Sequence, residues 1–184
     1  NVPNWMFTDW VNASEWKSGV APRGKEGSSS ILDLTLLWAY QLAAEMEGRN
    51  GMRSFKDRYL DEAAKLKKTI RSKYWDQSRG LFSDRPEKDL FSQHANSLAI
   101  LTGLTNKAET NSIAEKLLRD TTMAAASIYF RYYLHQALIK AGRGNEYLSW
   151  LDKWRENISS GLSTWAEMSD VSKSRSDCHA WGSS

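Results

Sequence analysis

The chain has 184 residues, of which 41% are hydrophobic, enough for one domain with a substantial core. Its formal net charge is +3, and its lysines and arginines are interspersed with acidic residues, which argues against a nucleic-acid partner. No apolar run approaches the roughly 20 residues that cross a bilayer, so no membrane partner is expected. The single cysteine leaves no internal disulfide, and the three histidines lack metal-ligand spacing, so neither a metal site nor another cofactor is expected.

Apolar spacing predicts helices almost everywhere after residue 28, and no alternating run is long enough for an ordinary strand. Six helices are expected, over about residues 30–47, 55–74, 92–103, 107–119, 125–141 and 145–157. The sixth is expected to carry Leu148, Leu151, Trp154 and Ile158 on one face. The sequence therefore predicts an all-α fold.

The six predicted helices alternate in character along the chain. The first, third and fifth are apolar or aromatic nearly all round, whereas the second, fourth and sixth carry charged residues opposite a single apolar stripe. An inner helix followed by an outer one, three times over, predicts helical hairpins in two concentric layers, about half of an (α/α)6 toroid. A helical solenoid or bundle is the alternative.

The longer loops of this arrangement lead from outer helices to inner ones, so we expect them to emerge at one end and to carry the functional site there. The residues expected to converge at that end are Asp9, Trp10, Trp75, Asp84, His94, Trp165, Glu167, His179 and Trp181. We interpret residues 1–27 as an entry loop, 28–158 as three hairpins and 159–184 as an active-site loop. Together they would form a single partial domain, either a piece of a larger protein or a half toroid that a partner completes.

The segment from Gly161 to Trp181 combines a carboxylate, an imidazole and two indoles. Indole faces stack on sugar rings, His179 and Asp177 offer hydrogen bonds to hydroxyls, and Glu167 is a candidate for the proton transfers of glycosidic cleavage. Nine tryptophans exceed what a small core usually needs, which also favours an aromatic binding surface. The alternative is an ordinary loop around two packed tryptophans.

Several segments, taken in their order and spacing, give the sequence a family likeness. They are Asp9–Trp10, residues 74–82, 92–101 and 132–142, Trp150 and Trp154, 161–167, and 179–181. With these segments the chain resembles the catalytic domain of the bacterial α-L-rhamnosidases, inverting glycosidases with six helical hairpins. The similarity covers most of the chain, and it implies cleavage of terminal α-L-rhamnosyl groups from a rhamnose-containing glycan or glycoside.

The resemblance also implies roles for particular residues. Glu167 stands at the place of the family's general base, which activates the attacking water. His179 would bond sugar hydroxyls or orient the base, and Asp9 with Trp10 would contact the rhamnose ring. The remaining candidates would bind substrate or form the pocket wall: Trp75, His94, Trp165 and Trp181.

Inversion requires a second carboxylic acid, about 6.5–9.5 Å from the base, to protonate the leaving oxygen. In the family this acid lies in an acidic segment earlier in the catalytic domain, and no such segment occurs in these 184 residues. The resemblance thus implies that the general acid lies outside this chain, which alone would be inactive. We interpret Asp84, Glu87 and Asp89 as a solvated loop and not as a substitute acid. Alternatives are another six-hairpin glycosidase, or a non-catalytic carbohydrate-binding or structural domain.

Overall fold

The computed structural model describes residues 6–173, 176 and 178–183. The α-helices in this part of the chain are α1 (Ser30–Asn50), α2 (Arg53–Tyr74), α3 (Gln93–Leu101), α4 (Lys107–Arg119), α5 (Arg131–Lys140) and α6 (Asp152–Ser159). A two-stranded hairpin, β1 (Trp75–Asp76) and β2 (Leu81–Phe82), follows α2, and four short 3-10 helices lie at Lys17–Gly19, Gly144–Trp150, Val171–Lys173 and Ala180–Ser183. Among the described helices, none has the length and apolar character to cross a membrane.

The helices pack as hairpins in two layers. Helix α3 packs against both α1 and α5, while α2 packs on α1 and α4 packs on α3. The outer helices α2 and α4 are joined by Arg71, whose Nη1 donates to Glu109 Oε2 at 3.0 Å. The predicted fold class is confirmed: the chain is all-α, with an inner row of α1, α3 and α5, and corresponds to about half of an (α/α)6 toroid.

Burial follows the two layers, with one difference from the expectation. Helix α3 buries seven of its nine residues, 94–100, whereas α4 buries only Ile113, Ala114 and Leu117. The inner helices α1 and α5 are less enclosed than predicted, because each leaves large apolar side chains exposed: Leu36, Leu42 and Met46 on α1, and Tyr132 and Ile139 on α5.

Helix α4 has the limits that its sequence predicts, because a local capping box fixes its start. Asn106 Oδ1 accepts from Glu109 N at 2.9 Å, and Glu109 Oε2 accepts from Asn106 N at 3.1 Å. These two bonds satisfy backbone donors that the first turn of a helix otherwise leaves free. Lys116 and Arg119 in the last turn complement the negative end of the helix.

The fifth and sixth helices depart from the prediction. Helix α5 begins at Arg131 and not near residue 125, because the preceding backbone N–H groups bond to distant partners: Ala126 to Gln93, Ser127 to Asp9 and Ile128 to Ser169. The sixth helix is a 3-10 helix over Gly144–Trp150 followed by α6, and the change of winding breaks the predicted stripe. Trp154 is buried, but Leu148 and Ile158 are exposed.

The short β-hairpin was not predicted. Trp75 pairs with Phe82 and Asp76 with Leu81, antiparallel, around a turn in which Asp76 Oδ1 accepts from Ser78 Oγ at 2.6 Å and from Arg79 N at 2.9 Å. Gly80 has a positive φ of 57° in this turn, the left-handed region that glycine adopts without strain. Two-residue strands are too short to show an alternating pattern in the sequence.

Candidate active site

The loops that precede the three inner helices meet at one end of the molecule. Ser30 N at the start of α1 donates to the Asp84 carbonyl at 3.0 Å, and the loop that leads to α5 is bound by Asp9. The C-terminal segment joins them, because Ile128 N donates to Ser169 Oγ at 2.8 Å. Residues from four separate segments are thereby gathered at the N-terminal ends of the inner helices.

A cavity of about 770 Å³ opens at this end. Its wall comes from the opening loop (10–16), the loop before α3 (89–91), the segment before α5 (122–127) and residues 168–170, with single side chains from elsewhere. The volume lies within the roughly 300–1,000 Å³ typical of small-molecule sites. Trp10, which is half-buried, gives the wall aromatic surface of the kind that stacks on sugar rings, whereas Trp16 is 4% exposed.

Asp9 and His94 form a fully buried pair next to the cavity wall. His94 Nε2 donates to Asp9 Oδ2 at 2.6 Å, Ser127 N donates to the same oxygen at 2.8 Å, and Ser127 Oγ bonds to Asp9 Oδ1. The His94 ring packs between Trp16 and Phe130, with centroid separations of 4.5 and 4.2 Å. The pair ties the opening loop to α3 and to the start of α5, and a contact of either side chain with a sugar stays a prediction.

Glu167 lies in a segment that is anchored on both sides. Its own N–H donates to Ser176 O at 2.9 Å, and the preceding Ala166 N–H donates to Asn157 Oδ1 at 2.9 Å. The Asn157 side chain is buried, and its Nδ2 donates to Lys153 O in α6 at 2.7 Å. Glu167 is 6% exposed, and the three residues that follow it line the cavity. Nothing in the sequence marks Asn157 for this role, because an amide near a helix end carries no distinguishing signal.

The other C-terminal candidates pack beside this segment. His179 N donates to Trp165 O at 3.1 Å. A Cβ on residue 182 would lie only 2.7 Å from Trp165 Cβ, so the backbone at Gly182 can approach Trp165 this closely because glycine has no side chain. Trp154 Nε1 donates to Gly182 O. Asp177 and the side chain of Trp181 lie outside the described part of the chain.

The aromatic candidates Trp10 and Trp75 have different surroundings. Trp10 is in the cavity wall, and its ring centroid lies 4.8 Å from that of Phe7. Trp75 is not in that wall, because its ring packs against Phe82 at 5.0 Å and under the Arg71 guanidinium at 4.1 Å. Among the described residues that were expected to converge at this end, Trp10 and Asp84 line the cavity.

The sequence interpretation treated the whole acidic loop before α3 as solvated, and for Asp84 this is wrong. Glu87 and Asp89 are exposed, but Asp84 is 1% exposed and lines the cavity. Ser92 Oγ donates to Asp84 Oδ1 at 2.6 Å, while burial raises the pKa of Asp84 to about 6. A hydrogen bond from Lys25 N lowers the pKa of Glu87, and one from Arg85 lowers that of Asp89. In the described part of the chain, no three His, Cys, Asp or Glu side chains gather as metal ligands.

The raised pKa of Asp84 predicts a pH-dependent cost of keeping its carboxylate buried. The folded protein holds this proton up to about pH 6, whereas the unfolded chain releases it near 3.8. The free energy of unfolding should therefore fall by about 2.5 kcal/mol relative to Asp84→Asn as the pH rises from about 4 to about 7. Asn keeps an oxygen that accepts from Ser92. Urea denaturation of both proteins across this pH range measures the difference.

The matched control for this prediction is Asp89→Asn in the same loop. Because the Asp89 carboxyl is half exposed and its pKa is lowered, the stability difference should be small and of opposite sign. A stability difference between wild type and Asp84→Asn that does not change with pH would contradict the assignment of a raised pKa to Asp84.

The paired helices and the cavity at their loop end define a helical-hairpin domain with a ligand-sized cavity at one end. The chain belongs to the family of the bacterial alpha-L-rhamnosidase 6 hairpin glycosidase domain, whose model matches residues 1–184. No curated protein matches the chain.

Two solved structures share the fold. A rhamnosidase from Klebsiella oxytoca with rhamnose bound is 19% identical, with a TM-score of 0.74 over 83% of this chain and 32% of that chain. A GH78 family rhamnosidase of Bacillus sp. GL1 is 22% identical, with a TM-score of 0.82 over 97% of this chain and 20% of that chain. The chain thus spans about a third and a fifth of the length of these two structures.

Proposed function

We propose that this chain carries the base half of an inverting α-L-rhamnosidase, with Glu167 as the general base. The observation that carries the proposal is the position of Glu167, a nearly buried carboxylate on a doubly anchored segment that runs directly into the cavity wall. Membership of the rhamnosidase family supports the substrate class, and the bound rhamnose in the Klebsiella oxytoca structure supports the sugar.

In the proposed reaction, Glu167 takes a proton from water as the water oxygen attacks the anomeric carbon of the rhamnosyl group. The bond from that carbon to the glycosidic oxygen breaks on the opposite face, and a carboxylic acid protonates the departing oxygen. The products are rhamnose of inverted anomeric configuration and the free aglycone. A buried base is well placed for this role because exclusion of water strengthens its interaction with the attacking water molecule.

The general acid is proposed to come from outside these 184 residues. The chain spans only a third or less of the two structural relatives. We infer that it is a partial α/α-barrel domain, with an entry loop over 1–27, hairpins over 28–158 and an active-site loop over 159–184. The remainder of the same catalytic domain would be its partner.

The other candidate residues receive supporting roles. Trp10 is proposed to stack on the sugar ring, since it lies in the cavity wall. Asp9 and His94 would hold Trp10 in place through their bonds to the opening loop and to Ser127. His179, Trp165 and Trp181 are proposed to complete the pocket beside Glu167. Trp75, which is not in the cavity wall, is proposed to contact only a substrate that extends beyond the cavity.

The stereochemistry of the product tests the proposal. The full-length protein that contains this chain should release β-L-rhamnose first from an aryl α-L-rhamnoside, as followed by proton NMR before the anomers equilibrate. Release of α-L-rhamnose first would contradict inversion. Binding of the rhamnoside without cleavage would contradict an enzyme and indicate a carbohydrate-binding domain.

A further inference from the structure

Arg131, the first residue of α5, places a guanidinium in the cavity wall. Its Nη1 donates to Trp150 O at 3.0 Å, and its guanidinium carbon lies 5.5 Å from the Trp150 ring and 5.8 Å from the Trp154 ring. Its Nε is buried and has no hydrogen-bond partner among the described residues. The side chain is therefore held by backbone and aromatic contacts, with donors left unused.

The other cationic side chains of the cavity wall are paired with carboxylates. Arg79 bonds to Asp120 at 3.0 Å, and two lysines pair within their own turns, at 2.9 Å each: Lys153 with Glu156 and Lys173 with Asp170. No described carboxylate pairs with Arg131. The charge of buried Asp9 acts on Arg131, but the Asp9 carboxylate is bonded to His94 and Ser127 and makes no ion pair with the guanidinium. A partly buried guanidinium without a directly paired carboxylate is costly, so a site of this kind favours an anionic ligand.

Carboxylates in the same wall do not neutralise Arg131. Asp89 pairs with Arg85 at 2.5 Å, and Asp84 accepts from Ser92. Glu15 is exposed on the rim. The negative charges are thus engaged with other groups or directed to solvent. Because Nη1 of Arg131 is bonded to Trp150 O and Nε is enclosed by protein, Nη2 is the donor that remains for a carboxylate oxygen of a ligand.

A second hollow of about 250 Å³ adjoins the cavity, since Glu15 and Pro22 line both. Its wall contains Lys17 and Arg23, as well as Arg85, which is paired with Asp89. The buried Arg23 Nε has no hydrogen-bond partner in the described part of the chain. The surface next to the cavity is therefore also rich in cations. A ligand longer than one sugar residue would meet positive charge along this direction.

We propose that the cavity binds a sugar residue that carries a carboxylate, with that carboxylate on Arg131, so that the substrate is an acidic glycan. The indole of Trp10 would hold the sugar ring while the guanidinium selects the charge. The binding of this acidic sugar does not depend on the proposed function. Its linkage to a rhamnosyl group does rest on the proposed function.

The test compares two sugars that differ only in charge at one position, methyl β-D-glucuronoside and methyl β-D-glucoside. Each is titrated into the full-length protein that contains this chain, and the dissociation constant is measured by isothermal titration calorimetry. The glucuronoside should bind about tenfold tighter or better, as a charge-assisted hydrogen bond predicts. Arg131→Gln should abolish this preference, and Arg131→Lys, which keeps the charge but not the guanidinium held by Trp150, should reduce it.

Arg79→Gln is the matched control, because it removes a cavity cation that is already paired with Asp120. It should leave the preference for the glucuronoside intact. Circular dichroism checks that each variant folds, and if Arg131→Gln does not, Arg131→Lys carries the comparison.

Equal affinity of wild type for the two sugars, or a full preference in the folded Arg131 variants, would overturn the proposal. A preference that depends on Arg131, together with rhamnoside turnover that does not need Glu167, would sustain this site and refute only the proposed catalytic role.

Discussion

Replacement of Glu167 by Gln is expected to lower kcat for an aryl α-L-rhamnoside by about 10²–10⁴-fold in the full-length protein. Gln has nearly the same shape, and its amide can still hold a water molecule, but it cannot take the proton that the attacking water must lose. Because ground-state contacts change little, KM should change much less than kcat. Steady-state kinetics with the aryl rhamnoside measures both constants.

Glu156→Gln is the control for this experiment. Glu156 also lines the cavity, but it is paired with Lys153 at 2.9 Å on an exposed face of α6, so its loss should alter kcat by less than about twofold. If Glu167→Gln turns over the substrate as fast as wild type, Glu167 is not the general base, and the proposed mechanism is wrong.

Replacement of Asp9 by Ala is expected to lower the free energy of unfolding by about 3–5 kcal/mol. Asp9 is fully buried, and its removal leaves His94 Nε2 and the N–H and hydroxyl of Ser127 without their acceptor. This is a large share of the roughly 5–15 kcal/mol that stabilises a typical domain. Urea denaturation of the 184-residue chain at neutral pH, followed by circular dichroism, measures the loss.

Two further variants show whether the network causes this loss. Asp9→Asn keeps the size and one acceptor oxygen, so it should cost less than the alanine variant. Asp152→Ala removes a carboxylate whose side chain is 80% exposed, and it should change stability by less than about 1 kcal/mol. A loss below about 1 kcal/mol for Asp9→Ala would contradict the role of this pair as the support of the opening loop.

The sequence predicted those helices whose limits are set locally. Helix α4 has its predicted bounds because Asn106 and Glu109 cap it through bonds three residues apart. Helix α5 starts later than predicted, because the backbone N–H groups before it donate to Gln93, Asp9 and Ser169. These partners lie far away in the sequence. No local pattern carries that information.

For the candidate site, the sequence predicted at which end of the molecule the residues lie, but it did not predict how far each side chain is buried. Asp9 and His94 do lie at the loop end, yet they bond to each other in the interior. Asp84 looked solvated beside Glu87 and Asp89, but its carbonyl and side chain bind the starts of α1 and α3, which buries it. Burial of a loop residue depends on the neighbours that the fold supplies. The position of Arg131 in the cavity wall was not predicted for the same reason.

The bonds of Asp9 also bear on how the molecule folds. They join residues 85 and 118 positions apart, whereas the α1–α2 and α3–α4 hairpins form from segments adjacent in sequence. Closing a long loop costs entropy before its contacts repay it, so contacts between remote segments tend to arise late. We therefore expect the hairpins to form first. The opening loop, which carries Trp10, should become ordered last, when it docks onto helices that are already in place.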